Sequence, residues 1–192
     1  MIRMIEWLDK IDIKLFLFLN QFNSDFWDRI MWFASGKLSW LPLYVFLLFL
    51  IFRKYKRNFW IPVLTIVLLI TLSDQASVHL FKNVFERLRP CHNPEIKSMV
   101  HLVNNRCGGL YGFVSSHAAN TFSLAVFTIL IIQNRILTIG MISWASLVSY
   151  SRIYMGRHYP GDMLGGAILG ILIAWLLFYL FTRIYNRLAR NR

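Results

Sequence analysis

Residues 163–181, MLGGAILGILIAWLLFYLF, run without one charged side chain. Crossing about 30 Å of hydrocarbon takes roughly 20 helical residues, so this stretch is long enough to span a bilayer. Gly166 and Gly170 within it have the four-residue spacing that lets helices approach closely. Shorter apolar runs occupy 136–150, 118–134 and 58–73. A further run, 38–52, is expected to begin earlier, near Phe26, because FWDRIMWFASGKLSW has helical apolar spacing and interfacial tryptophans. The reading is an all-α integral membrane bundle of five spanning helices. Composition agrees, since 57% of the residues are hydrophobic and 16% charged, outside the soluble norm.

The first 23 residues read differently. Leu8, Ile11, Leu15, Leu19 and Phe22 recur at three- and four-residue steps among Asp9, Lys10, Asp12 and Lys14, which suits an amphipathic helix lying in the interface. A sixth, short span is the alternative. No cleavable signal peptide is expected, because the first ten residues carry both charge signs and no small-residue cleavage site follows. With no repeat, low-complexity tract or linker, residues 1–192 read as one domain.

Basic residues in short loops set the orientation. Arg53, Lys54, Lys56, Arg57, Arg135 and the tail from Arg183 to Arg192 mark cytoplasmic ends. Segments 74–116 and 152–162 then face the opposite compartment, which in a bacterium is the periplasm or exterior. The net charge of +12 is divided between two membrane faces, which disfavours nucleic acid as a partner. Cys91 and Cys107 both fall on the outer side, where an oxidising environment allows a disulfide; two free thiols are the alternative. Their spacing is wrong for a zinc pair, and His92 and His101 add no ligand pattern, so no metal is expected.

Three outer stretches carry the chemistry. KNVFERLRP holds Lys82, Arg87 and Arg89; if helical, it brings Lys82 and Arg89 to neighbouring turns, where two cations favour an anion between them. VSSH places Ser115, Ser116 and His117 at a helix start, which both caps the helix and favours phosphate. SRIYMGRHYPGD holds Arg152, His158 and Asp162. A carboxylate one turn from an imidazole fixes the tautomer and frees the other ring nitrogen to attack. Asp74 and Glu86 read as structural partners of nearby cations.

These three stretches resemble the signature Lys-x6-Arg-Pro, Pro-Ser-Gly-His and Ser-Arg-x5-His-x3-Asp of the type-2 phosphatidic acid phosphatases, a superfamily that also holds soluble acid phosphatases and vanadium haloperoxidases. The first and third parts match in full, within residues 82–162; in the second, Val114 stands for proline and Ser116 for glycine. The resemblance implies a hydrolase with His158 as nucleophile, Asp162 orienting it, and His117 as general acid and then base. Lys82, Arg89, Arg152, Ser115 and the Ser116 amide would bind the phosphoryl oxygens, with no cofactor or metal. The Ser116 side chain either crowds the phosphate or adds a hydroxyl donor to it.

The expected substrate is a membrane lipid phosphate, drawn from the bilayer at headgroup depth by a multi-pass protein of the bacterial inner membrane. Among the family's lipids, undecaprenyl diphosphate or a lipid A phosphate is favoured over phosphatidylglycerol phosphate and phosphatidate. The rival classes are a non-catalytic lipid-binding protein and a vanadate-dependent oxidant enzyme.

Overall fold

The computed structural model describes residues 2–190, apart from the side chains of Ile2, Ile5, Ala189 and Arg190. Seven main helices follow one another: α1 (Ile2–Asn20), α2 (Asp25–Ser35), α3 (Leu41–Tyr55), α4 (Trp60–Ala76), α5 (Ser116–Ile132), α6 (Arg135–Tyr154) and α7 (Pro160–Arg190). Among the described residues, four helical stretches are long and apolar enough to cross a membrane, and α5 is a shorter apolar helix. Leu48, Phe49, Val67, Leu68, Leu172 and Trp175 are exposed on their outer faces, as expected where the surrounding solvent is lipid.

α5 and α7 form the centre of the bundle. A Cβ on Gly166 would lie 2.5 Å from the Ser115 carbonyl oxygen, and one on Gly170 would strike the Ala119 carbonyl, so these glycines let two backbones touch. Gly170→Val is therefore expected to lower stability by about 1–3 kcal/mol through overpacking, measurable as earlier thermal unfolding in detergent. Toward one end, Ile51, Leu69, Phe127, Ile131 and Phe181 pack together; Leu47, Leu124, Met141, Trp144 and Val148 fill the next layer. At the other end, Phe16 of α1 meets Tyr159 edge to face, its ring 5.4 Å away.

Two expectations are corrected. The 26–52 stretch is not one helix: α2 ends at Ser35, Gly36 closes it with its N–H on Phe33 O, and α3 begins at Leu41. Ser24 caps the start of α2, so this short helix is bounded at both ends by local chemistry. Nor does a helix run from Lys82 through Arg89. α4 continues as a π-helical segment Ser77–Lys82 and a last turn Asn83–Phe85, after which Glu86 takes left-handed angles (φ 47°, ψ 26°) and the chain turns back. Arg89 is extended (φ −67°, ψ 156°) because Pro90 follows it.

α1 turns one carboxylate, Asp12, toward the bundle, while Arg3, Glu6, Asp9, Lys10 and Lys14 are exposed. Leu8, Ile11, Leu15, Phe18 and Phe22 are exposed, while Asp12 and Phe16 face the bundle and buried Asn20 donates to the Tyr154 carbonyl at 2.7 Å. Among the described residues α1 is not one of the helices apolar enough to cross a membrane.

Candidate active site

The three outer stretches converge on a cavity of about 220 Å³, lined by Lys37, Asp74, Lys82, Arg89, Ser116, His117, Asn120, Arg152 and His158. Ser115 and Asp162 stand directly behind this lining, both fully buried. The Ser115 N–H donates to the Asp162 carbonyl at 3.0 Å, which joins the start of α5 to the start of α7. Ser115 Oγ accepts from Ala118 N at 3.5 Å, so the helix cap and the cavity wall are one feature.

His158 is buried in the loop before α7, and its Nδ1 donates to Asp162 Oδ2 at 3.2 Å. That bond places the ring proton on Nδ1 and leaves Nε2 with a free lone pair. Burial, then the charges of Arg89, Arg152 and Lys82, hold the His158 pKa well below the ordinary 6.5. Both effects favour the neutral imidazole over the charged one. Asp162 is held in turn, its Oδ2 accepting from Tyr159 N at 3.0 Å and its Oδ1 from Arg87 Nη1 at 3.0 Å.

The cations arrive by different routes. Arg89 is placed by a short antiparallel pairing of Leu88 with Tyr111. Arg89 N donates to Leu110 O at 3.0 Å, Gly112 N to Arg87 O at 2.8 Å, and Arg89 Nε to Tyr111 O at 3.2 Å. Just beyond this pairing Cys91 and Cys107 are bridged, with Cα atoms 5.9 Å apart, closing the loop between them. The grouping of Cys91, His92 and Cys107 therefore offers a metal no thiolate. Arg152, buried in the last turn of α6, donates through Nη1 to Ser35 Oγ, while its Nε has no hydrogen-bond partner among the described residues. A buried guanidinium N–H without a partner fits an anion ligand.

Lys82 points into the cavity from the π-helical segment, a geometry common at functional sites. Its Nζ donates to Ser116 Oγ at 2.5 Å; Ser116 Oγ lies 2.6 Å from Ser77 Oγ, and Ser77 Oγ donates to Asp74 O at 2.7 Å. Since Ser77 spends its proton on the Asp74 carbonyl, the Ser116 hydroxyl donates to Ser77. The side chain at the family's glycine position thus tethers Lys82. Val114, at the family's proline position, is fully buried against α7 beside Gly165. Asp74 lines the cavity and its Oδ1 accepts from Asn120 at 3.4 Å, whereas Glu86 is exposed and forms no ion pair among the described residues.

The sequence named Arg87 but not its role, and it gave no notice of Gly112; both groups stand behind the site. Arg87, one residue from the exposed Glu86, bridges Asp162 to α1 with Nη1 2.7 Å from Asp12 Oδ2 and Nη2 2.6 Å from Asp9 Oδ1, and its guanidinium lies 4.1 Å from the Tyr159 ring centroid. Asp12 Oδ1 accepts from Gly161 N at 2.7 Å. The sequence signal was Asp9 and Asp12 at i, i+3, two carboxylates on one side of α1 along the edge of its apolar stripe. Asp12→Asn keeps an acceptor for Gly161 but removes the charge facing Arg87. Turnover is expected to fall roughly tenfold, the scale of a weakened charged hydrogen bond, read from kcat on any phosphate ester the protein cleaves. Gly112 is the other such group: a Cβ there would lie 2.9 Å from Asp162 Oδ2 and 3.6 Å from His158 Nδ1.

Residues 63–186 match the PAP2 superfamily. The chain is 41% identical over 191 residues to a lipid A 4'-phosphatase of Bacteroides thetaiotaomicron, covering 98% of this chain and 84% of that protein. It is 34% identical over 182 residues to a lipid A 4'-phosphatase of Porphyromonas gingivalis, covering 93% and 77%. A transmembrane PAP2-type phosphatidylglycerolphosphate phosphatase from Bacillus subtilis shares the fold, with a TM-score of 0.72 at 21% identity over 92% of this chain and 87% of that one. All three signature stretches lie inside the matched region, and the chain belongs to the PAP2 superfamily.

Proposed function

We propose that the protein hydrolyses a phosphate ester of a membrane lipid, with a phosphate carried by lipid A as the preferred substrate, through a phosphohistidine on His158. The observation that carries this reading is the hydrogen-bonded His158–Asp162 pair at a small cavity rimmed by Lys82, Arg89 and Arg152. A lipid-binding protein without turnover needs cations but no tautomer-fixed imidazole. Similarity to the two lipid A 4'-phosphatases supports lipid A over undecaprenyl diphosphate.

In the first step the Nε2 lone pair of His158 forms the N–P bond as the in-line P–O bond to the lipid breaks. Charge on the three equatorial oxygens is met by Lys82, Arg89 and Arg152, and Ser115 and the Ser116 N–H stand at the start of α5 for the same oxygens. The departing oxygen takes a proton from His117. His117, now neutral, removes a proton from water, whose oxygen attacks phosphorus and breaks the P–N bond. Inorganic phosphate leaves and His158 returns to its neutral form.

The cavity is read as facing the periplasm or exterior of a bacterial inner membrane. The Cys91–Cys107 bridge beside Arg89 supports this, because disulfides persist in oxidising compartments, as does the clustering of basic residues at 53–57 and in the tail. The whole chain is read as one catalytic domain.

The deciding experiment offers detergent-purified protein lipid A, undecaprenyl diphosphate, phosphatidylglycerol phosphate and phosphatidate, and measures released phosphate without added metal. Release from none of them would refute the enzyme reading. Activity is expected to persist in excess EDTA and to be inhibited by vanadate, which adopts the five-coordinate shape of the transferring group. A requirement for a divalent ion would contradict charge neutralisation by Lys82, Arg89 and Arg152 alone. The pH profile offers a further check. Imidazole protonates as pH falls through its pKa, and that of His158 is depressed, so kcat/KM should show no acid limb near pH 6.5 from the nucleophile.

A further inference from the structure

Beside the catalytic cavity lies a larger one of about 480 Å³, with Arg29, Trp32 and Asn104 in its wall. Gly36 lines this cavity while Lys37 lines the catalytic one, so a single turn between α2 and α3 borders both. Arg157, whose guanidinium packs against Trp32 in that wall, immediately precedes His158.

Trp32 gathers cations. The Arg157 guanidinium lies 5.4 Å from its ring centroid and that of Arg106 lies 5.7 Å away, while Arg157 Nε donates to the Arg106 carbonyl at 2.8 Å. Arg106 is exposed and Arg157 partly buried, and burial, together with the neighbouring Arg106 charge, pushes the Arg157 pKa down. Two like charges held at one indole repel each other unless an anion joins them. Among the described residues neither forms an ion pair, and nor does Arg29. The carboxylate in the cavity wall, Asp28, is already engaged by His101 Nε2 at 2.9 Å and the Tyr154 hydroxyl at 2.7 Å. Among the described residues the guanidiniums of Arg29 in the cavity wall and of Arg106 and Arg157 at its Trp32 edge thus have no counter-charge, and their planar forks suit two-point binding of phosphate or carboxylate.

We propose that this second cavity is an anion subsite that takes a phosphate or carboxylate on the headgroup of the same lipid whose scissile phosphate meets His158. The inference rests on the lipid phosphatase reading above and narrows it. The favoured substrate carries two separated anionic groups, as on a doubly phosphorylated disaccharide, rather than phosphate on a bare isoprenoid chain.

The test compares lipid A bearing two phosphates with the form bearing only the phosphate to be cleaved, in one detergent, using the wild type and an Arg106→Gln/Arg157→Gln variant. Wild-type kcat/KM is expected to be roughly tenfold higher or more for the doubly phosphorylated form, the scale of a charge-assisted hydrogen bond. The variant should lose that preference and stay within about twofold of wild type on the singly phosphorylated form. Equal losses on both forms, or an unchanged preference, would overturn the subsite. Competition against turnover of a short-chain phosphatidate reads binding separately. If neither glycolipid is cleaved, the proposed substrate fails; the subsite still stands if the doubly phosphorylated form inhibits wild type more strongly and the variant loses that difference, and falls otherwise. Inorganic phosphate added to the singly phosphorylated form distinguishes a free anion, since restoration of the full advantage would mean that the cavity does not serve the substrate. Should the double variant not fold, Arg106→Gln alone, at an exposed position, is expected to halve the preference or more, and no change would count against the proposal.

Discussion

Phosphate release is expected to fall on the order of 10⁴-fold or more in His158→Ala, the scale for loss of a covalent nucleophile, while the protein remains folded in detergent. Of the two histidines in the cavity lining, His158 is the one whose ring is paired with a carboxylate that fixes its tautomer. Its replacement removes the atom proposed to bond to phosphorus but leaves Lys82, Arg89 and Arg152 in place, so lipid binding should weaken far less than turnover. Asp162→Asn retains the nucleophile and loses control of its tautomer together with the charge facing Arg87, so a smaller fall is expected. The measurements are single-turnover phosphate release, lipid affinity and thermal unfolding, side by side. Near-normal release from a folded His158→Ala protein would remove the phosphohistidine from the mechanism.

The residues legible from sequence were those whose meaning is local. His158 and Asp162 lie one helical turn apart, and the apolar run of α7 announces itself by length, while those of α4 to α6 are short singly and persuasive together. What escaped was set by tertiary contact. Nothing near Arg87 in the chain indicates that it faces Asp9 and Asp12, some seventy-five positions away, instead of its neighbour Glu86. Ser35 and Lys37 reach the site only because α2 stops at Gly36, and the Gly-Lys pair within FWDRIMWFASGKLSW was the available signal for that break. Lys82 and Arg89 were expected on one helix face; they meet by a chain reversal instead, and Pro90 already barred helical angles at Arg89. The two departures from the family's second motif became interpretable only in three dimensions. Val114 fills a gap against Gly165, and the Ser116 hydroxyl is committed to Ser77 and Lys82.

The start of α5 is where capping and catalysis make opposite demands on experiment. Ser115 does cap the helix, so Ser115→Ala should cost about 1 kcal/mol of stability on that ground alone. His117, the second residue of α5, caps nothing, yet its side chain stands in the cavity lining with Arg152 and His158. If it is the general acid, His117→Gln should slow turnover by about 100-fold or more while leaving the unfolding temperature near that of the wild type. On a substrate whose leaving oxygen needs no proton, such as a nitrophenyl phosphate, the loss should disappear from the first step but not from turnover, because the first step then no longer depends on His117. Dephosphorylation would still depend on it as the base, so His117→Gln given that substrate should release a burst of nitrophenol and accumulate phosphorylated His158. Absence of both the burst and the phosphohistidine, in a folded variant turning over at the wild-type rate, would return His117 to a structural role.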